Sequence, residues 1–193
     1  MKKGIDISYC QEGLKLQDAK NQGVKYVVIR AGYGESVDSL FETHTKGAIE
    51  AGLPYGFYWY SGAFNTDDAQ KEADACLSAI SRYAAPVYPV YYDMEQQDQI
   101  ERLDKDTRTA IITTFCDTIR AAGYTAGLYL NPAWLENYVI KENLLDKYDL
   151  WLACWTNNPD IQPKYQYGQK MWQWGVDKIC GMDVDGDICY VDY

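Results

Sequence analysis

Short apolar runs rich in β-branched and aromatic residues alternate along the chain with segments whose apolar positions recur at helical spacing. Gly4–Ile7, Tyr26–Arg30 (YVVIR), Tyr55–Tyr60 (YGFYWY) and Val87–Asp93 (VYPVYYD) read as strands. So do Thr125–Leu130, Asp149–Trp155 (DLWLACW), Met171–Trp174 and Val184–Tyr190. Between them, Leu14–Gln22, Leu40–Ala51, Asp67–Arg82 and Asp104–Ala122 read as helices, with a short one over Pro132–Val139. Ala69, Ala73, Cys76, Leu77 and Ile80 share one face of the third helix; Ile111, Phe115, Ile119 and Ala122 share one face of the fourth. Gly23, Gly52 and Gly123 stand just past three of these helices, where a left-handed terminal residue is favoured.

Helix, glycine and strand recurring in that order predict βα units on a parallel sheet. Eight strand candidates, centred near residues 5, 28, 58, 91, 127, 152, 172 and 187, predict an α/β fold of the (β/α)8-like, TIM-type barrel kind. Such barrels usually need about 200 residues or more, so in a 193-residue chain some helices must be short or missing, above all after residue 139. A doubly wound open sheet is the alternative.

Length and composition narrow the picture. A domain of about 100–200 residues is typical, so residues 1–193 are read as one domain. With 47% hydrophobic and 24% charged residues the chain has a globular, not a disordered, composition. A net charge of −10 argues against nucleic acid and against anionic membrane surfaces, which are met by basic patches. No apolar run approaches the ~18 residues of a membrane span. The opening MKKGIDISYCQEG lacks the apolar stretch of a signal peptide, so the expectation is cytoplasmic synthesis with release, or a trimmed secreted domain. Six scattered cysteines without a CxxC pair do not make a zinc site; core thiols are expected, with a Cys180–Cys189 bridge left open. Aromatics are 15% of the chain, which suits either a well-filled core or a surface that stacks on sugar rings.

In parallel α/β folds ligands meet the C-terminal ends of the strands. The predicted ends carry Asp6, Arg30, Tyr58 and Tyr60, Asp93 and Glu95, Tyr129 and Asn131, Trp155, Gln173, and Asp185 with Asp187. Asp93-x-Glu95 is the sharpest feature. On a strand, residues i and i+2 point to one side about 6–7 Å apart. Two carboxyls so close repel, one pKa rises, and the pair then offers a proton donor and an anion, as glycoside hydrolysis requires. A solvated Asp-x-Glu at a strand end is the competing reading. His44, the one histidine, falls inside a predicted helix, so neither a Ser-His-Asp triad nor a His-based metal site is expected. Gly32-Tyr33-Gly34 is too short for a dinucleotide fingerprint. Asp183–Asp187 resembles the start of a calcium loop but lacks the closing glutamate of an EF-hand.

These residues carry a family resemblance. Gly4-Ile5-Asp6-Ile7-Ser8, the YVVIRAGYG stretch from Tyr26, and Gly52-x-x-x-Gly56-Phe57-Tyr58-x-Tyr60 resemble the glycoside hydrolase family 25 lysozymes. So do Tyr92-Asp93-Met94-Glu95, Gly127-Leu128-Tyr129, Leu150-Trp151-x-Ala153, Trp172-Gln173-Trp174 and Val184-Asp185-x-Asp187. The matches run in order along the whole chain. The resemblance implies an irregular, flattened barrel and an N-acetylmuramidase that cuts the β-1,4 bond between N-acetylmuramic acid and N-acetylglucosamine in peptidoglycan. It implies Glu95 as general acid and base, Asp93 as the carboxylate that orients the 2-acetamido group, and Asp6 and Asp185 as further acids of the cleft. Tyr58 and Tyr129 match pocket aromatics. Tyr60, Trp155, Gln173 and Arg30 complete the expected substrate-binding set. Two departures stand out. Tyr58-Trp59-Tyr60 replaces the Tyr-His-Phe frequent in the family. The stretch before the last aspartate is short, which leaves Asp183 and Asp187 as alternatives to Asp185.

The expected route is retaining and assisted by the substrate's own acetamido group, a recognised exception to the two-carboxylate scheme. It needs no metal or organic cofactor. The expected enzyme is a monomer whose partner is the bacterial glycan strand, acting outside the cell on the wall. A non-catalytic barrel that binds cell-wall glycan is the alternative, and a metal hydrolase on a similar face is a third.

Overall fold

The computed structural model describes residues 1–193. β1 (Lys2–Ile7), β2 (Tyr26–Tyr33), β4 (Tyr55–Tyr60), β5 (Val90–Asp93), β6 (Ala126–Leu130), β7 (Asp149–Ala153), β8 (Met171–Ile179) and β9 (Met182–Cys189) form one sheet. β1 pairs with both β9 and β2, so these eight strands close into a barrel. β3 (Ser36–Val37) is a two-residue flap paired antiparallel to the end of β2. The expected barrel is therefore present, and the open doubly wound sheet is not.

Both faces of the strands are buried, which is why they read as nearly continuous apolar runs. Alternate residues nonetheless divide into two layers. Val27, Ile29, Phe57, Trp59, Val90, Tyr92, Leu128, Leu150 and Leu152 point outward into the main core under the helices. Tyr26, Val28, Tyr58, Tyr91, Trp151, Met171 and Cys189 fill the barrel interior. Trp151 sits at its centre, with the rings of Tyr58, Tyr91 and Tyr129 at 5.9, 5.2 and 4.6 Å. Glycines facing inward make room for these rings: a Cβ on Gly4 would lie 2.2 Å from the Tyr26 ring, and one on Gly127 2.4 Å from Tyr91.

The helices are α1 (Leu16–Asn21), α2 (Phe41–Ala51), α3 (Thr66–Ile80), α4 (Gln97–Arg102), α5 (Lys105–Ala121) and α6 (Pro132–Asn137). Asn65 and Asp104 cap α3 and α5 by accepting the amides of Asp68 and Thr107. α4 was not expected from the sequence. The connection from β7 to β8 has no helix, in line with the expected thinning after residue 139.

The last strand departs from the expected all-parallel sheet. β9 runs antiparallel to both β8 and β1. Ile179 pairs with Met182, so only Cys180 and Gly181 turn the chain, at φ +53° and +82°. A two-residue loop with both φ positive forces a hairpin; a parallel strand would need a crossover of a dozen residues. The hairpin folds against α1, where the Cys180 amide donates to Gln22 Oε1 at 2.9 Å, and Ile179 and Val184 join the outer core. It thus fills outer wall that a last helix would otherwise cover. Cys180 at the hairpin tip and Cys189 at the far end of β9 are not bridged, and all six thiols are free.

Candidate active site

The reversal of β9 brings the start of that strand, not its end, to the barrel mouth. In register, Asp185 lies beside Asp6 at the top of β1, and Asp187 lies beside Gly4 one pleat deeper. Across the opposite wall Tyr60, Asp93 and Tyr129 stand side by side on β4, β5 and β6. Asp93 is the last residue of β5, and Glu95 lies two residues beyond it, in the turn before α4. The expected strand placement of both carboxyls therefore holds for Asp93 alone: the ladder to β6 ends at the Asp93–Tyr129 pair, and the chain then turns into α4. Glu95 stands exposed on the rim.

Gln173 is the hub of the polar network. Its Nε2 donates to Asp6 Oδ2 at 2.9 Å, and its Oε1 accepts both the Tyr129 hydroxyl and Trp155 Nε1–H at 2.8 Å. One amide thus ties strands β1, β6 and β8 to Trp155, two residues past β7. Trp155 is fixed through its indole N–H while its ring stays 54% exposed, which leaves an apolar face open to the groove. Deeper in the barrel, Trp151 Nε1–H donates to Asp187 Oδ1 at 2.8 Å. Asp187 is fully buried, and its Oδ2 has no hydrogen-bond partner. The sequence left Asp183, Asp185 and Asp187 as alternatives. The structure separates them: Asp183 faces solvent and pairs with Lys178 at 2.6 Å, Asp185 is half-buried at the mouth, and Asp187 lies beneath it.

Burial sets the protonation of this cluster. Asp6 is pushed up to about 8 by burial and by the Asp185 charge, against the opposing hydrogen bond from Gln173. Burial, then the Asp6 charge, holds Asp187 well above the carboxylate range. Asp93 is likewise raised well above it, by burial, then by the charges of Glu95 and Asp6, with Arg30 opposing. Glu95 is raised by the surrounding protein and then by Asp185. The Oδ1 atom of Asp93 is buried without a hydrogen-bond partner. Burial thus disfavours the Asp93 carboxylate, and Asp93 keeps an acceptor without a protein partner.

Arg30 is committed elsewhere. Its Nε and Nη2 both reach Asp38 Oδ2 at 2.7 Å, and its guanidinium lies 4.6 Å from the Tyr9 ring centroid. Asp38, which the sequence did not single out, also accepts the amides of Tyr9 and Leu40. A cavity of about 460 Å³ opens here beside the acidic row, lined by Tyr9, Arg30, Tyr33, Val37, Asp38 and Tyr60 among others. Tyr58 is nearly buried against Trp151, whereas Tyr60 is half-exposed and feels the charges of Glu95 and Asp93. His44 is buried, and its Nε2–H donates to the Ser8 carbonyl at 3.1 Å, just past Asp6.

Residues 5–181 match the sequence profile of the family described as Glycosyl hydrolases family 25. Solved structures match as well. The modular autolysin LytC from Streptococcus pneumoniae, in complex with a synthetic peptidoglycan ligand, has a TM-score of 0.82 at 29% identity. That match covers 98% of this chain and 46% of LytC, so the chain spans about half the length of that relative. The catalytic domain of the endolysin from bacteriophage P40 of Listeria monocytogenes has a TM-score of 0.81 at 25% identity over 98% of this chain and 93% of that one. The bacterial lysozyme from Streptomyces coelicolor shares the fold, with a TM-score of 0.85 at 20% identity over 99% and 93% of the two chains. No curated protein sequence gives a significant match.

Proposed function

The chain belongs to family 25 of the glycosyl hydrolases, and from that membership we propose that it is a muramidase hydrolysing the β-1,4 bond from N-acetylmuramic acid to N-acetylglucosamine in peptidoglycan. The observation that carries this reading is the gathering of Asp6, Asp93, Glu95 and Asp185 at one mouth of a closed barrel, beside the exposed faces of Tyr60 and Trp155. Sugar rings pack their C–H faces on such aromatics while hydroxyls and amides read their substituents. The substrate lies outside the cell membrane, so the proposed place of action is the cell wall.

In the proposed route Glu95, protonated, gives its proton to the glycosidic oxygen as the bond to the anomeric carbon breaks. The acetamido oxygen of the muramic unit closes on that carbon, giving an oxazolinium. Glu95, now the base, takes a proton from water, which opens the ring with overall retention. The free Oδ1 of Asp93 is the acceptor proposed for the acetamide N–H. Burial disfavours the Asp93 carboxylate; positive charge developing on the acetamido group favours it at the moment it is useful. The Asp6–Gln173–Tyr129 network holds the floor of the groove, and Asp185 keeps Glu95 protonated to higher pH.

Incubation with purified peptidoglycan followed by borohydride reduction of the new chain ends tests this. N-acetylmuramitol is the expected product. N-acetylglucosaminitol, or no new reducing end, overturns the reading.

A further inference from the structure

A buried polar chain runs behind the β4–β5 wall, outside the cleft. Glu72 lies on the same α3 face as Ala69, Ala73, Cys76 and Ile80, and is 2% exposed. Its Oε1 accepts the Gly62 amide at 2.8 Å, and its Oε2 accepts the Tyr92 hydroxyl at 2.5 Å. Tyr92 Oη lies 2.8 Å from Ser61 Oγ. Gln99, fully buried on α4, donates Nε2 to Ser61 Oγ and to the Ala63 carbonyl, both at 2.9 Å. A glutamine N–H can only donate and an ionised carboxylate can only accept. The protons therefore run one way: Gln99 to Ser61, Ser61 to Tyr92, Tyr92 to Glu72.

This chain grips the segment that carries Asp93 and Glu95. Tyr92 directly precedes Asp93. Gln96 directly follows Glu95 and donates Nε2 to the Ser61 carbonyl at 2.5 Å. The Ser61 amide donates to the Asp93 carbonyl at 2.8 Å. Residues 61–63, which continue from Tyr60, are thus fastened to residues 92–99 at every polar atom of Ser61.

We propose that Glu72 is a positioning residue: through Tyr92 and Ser61 it fixes the Asp93–Glu95 segment against the Tyr60 wall of the cleft, and it touches no substrate itself. The proposal rests on the muramidase reading above. The charges facing Glu72 are Asp68 on its own helix and Glu35 from the β2–β3 turn, both negative. Cys76 on α3, Tyr92 on β5 and, beside Tyr92, Cys116 on α5 are the neighbouring titratable groups. Burial and these charges push Glu72 up to about 7. Once protonated, one Glu72 oxygen becomes a donor, Tyr92 is free to turn its proton to Ser61, and the single direction of the chain is lost. The clamp therefore tightens as pH rises through neutrality.

Glu72→Gln and Tyr92→Phe test this with soluble oligomers of alternating N-acetylglucosamine and N-acetylmuramic acid. Misplacing a catalytic group slightly is costly, so kcat at pH 8 should fall about 10-fold in either folded variant with KM within about twofold. The Glu72→Gln deficit should shrink toward pH 5, and the double variant should be no worse than the poorer single one. A merely structural role lowers the melting temperature and leaves kcat per folded molecule and its pH profile alone. Unchanged kcat in a folded variant, or additive losses, overturns the proposal. If Glu72→Gln does not fold, Tyr92→Phe decides by the same criterion. A second readout needs no turnover: Tyr92→Phe should speed amide exchange at Ser61 and Gly62 about 10-fold, and unchanged exchange overturns the clamp. Wild-type protein that releases no reducing ends overturns the muramidase reading instead, and the exchange measurement still judges the clamp.

Discussion

Gln173 donates its side-chain N–H to Asp6 across 167 residues of sequence, at 2.9 Å, while its carbonyl end holds Tyr129 and Trp155. Replacing it by methionine keeps the bulk and removes all three bonds. Asp6 then loses the Gln173 hydrogen bond that opposes its burial, so its pKa should climb above about 8. Each buried group left unpaired costs about 1–3 kcal/mol, partly relieved where Trp155 reaches solvent. Gln173→Met should therefore lower the melting temperature by several degrees, and kcat on peptidoglycan by about 10-fold as Tyr129 and Trp155 lose their alignment. Thermal unfolding and turnover, measured together, check this. A variant with normal kcat removes the hub from the groove.

The pH profile should separate Asp185 from Asp93. Beyond crowding by the surrounding protein at the rim, the charge that raises Glu95 is that of Asp185. Asp185→Asn should lower the Glu95 pKa, so the alkaline limb of kcat moves to lower pH. Asp93→Asn removes a group that is not among the charges raising Glu95, so that limb should stay in place. Its kcat should still fall about 10²-fold, because an amide cannot become the anion that supports the developing positive charge. Glu95→Gln should lose about 10²–10⁴-fold or more. An alkaline limb that moves with Asp93→Asn and not with Asp185→Asn would reverse this assignment.

Stability should fall as pH rises. Asp6 at about 8 and Glu72 at about 7 have folded pKa values above their ordinary 3.8 and 4.5, and Asp93 and Asp187 are also raised well above theirs. The folded state thus binds more protons than the unfolded chain above pH 4. The stabilisation is complete below the ordinary carboxylate range and is lost as pH climbs through 7 to 8. The melting temperature should accordingly drop between pH 5 and pH 9. Asp6→Asn should recover about 1–3 kcal/mol at pH 8 and little at pH 4, about 2–4 °C per kcal/mol for a chain this long. Calorimetric scans across that range, with equal gains at both ends, would defeat the argument.

Much of this fold can be read from local signals. Strands buried on both faces show as apolar runs, and Gly23, Gly52 and Gly123 mark helix ends with positive φ. The β8–β9 hairpin was hidden because its turn is Cys180-Gly181, not the Asn-Gly or Asp-Gly that advertises such a loop. The depth of Asp187 could not be read either: it shares a strand face with Asp185, and only pairing with β1 says which lies at the mouth. Gln173 could be placed at a strand end, but its link to Asp6, Tyr129 and Trp155 could not be read, since those partners are distant in sequence. Glu72 did give a signal. It interrupts an otherwise apolar helical face, three residues after Ala69 and four before Cys76, and a carboxyl in that position needs buried partners.

Arg30 and Asp38 supply the last test, because the same cation has two consequences that different substitutions split. Both nitrogens of the guanidinium fork bond one oxygen of a carboxyl that is itself fully buried, and the Tyr9 amide hangs from the same atom. Arg30 also lowers the pKa of Asp93 by its charge. Lysine keeps the charge and loses the fork, so Arg30→Lys should cost about 1–3 kcal/mol of stability and leave the pH profile in place. Methionine removes both. It strands the buried Asp38 carboxyl, at about 3–5 kcal/mol, and lets the Asp93 pKa rise still further. If the Asp93 carboxylate is needed as charge develops on the acetamido group, Arg30→Met should therefore lower kcat beyond what its loss of folded protein explains, while Arg30→Lys should not. Urea unfolding gives the first quantity and turnover per folded molecule the second. Equal kcat in the two variants would mean that Arg30 serves only to anchor the Tyr9 loop.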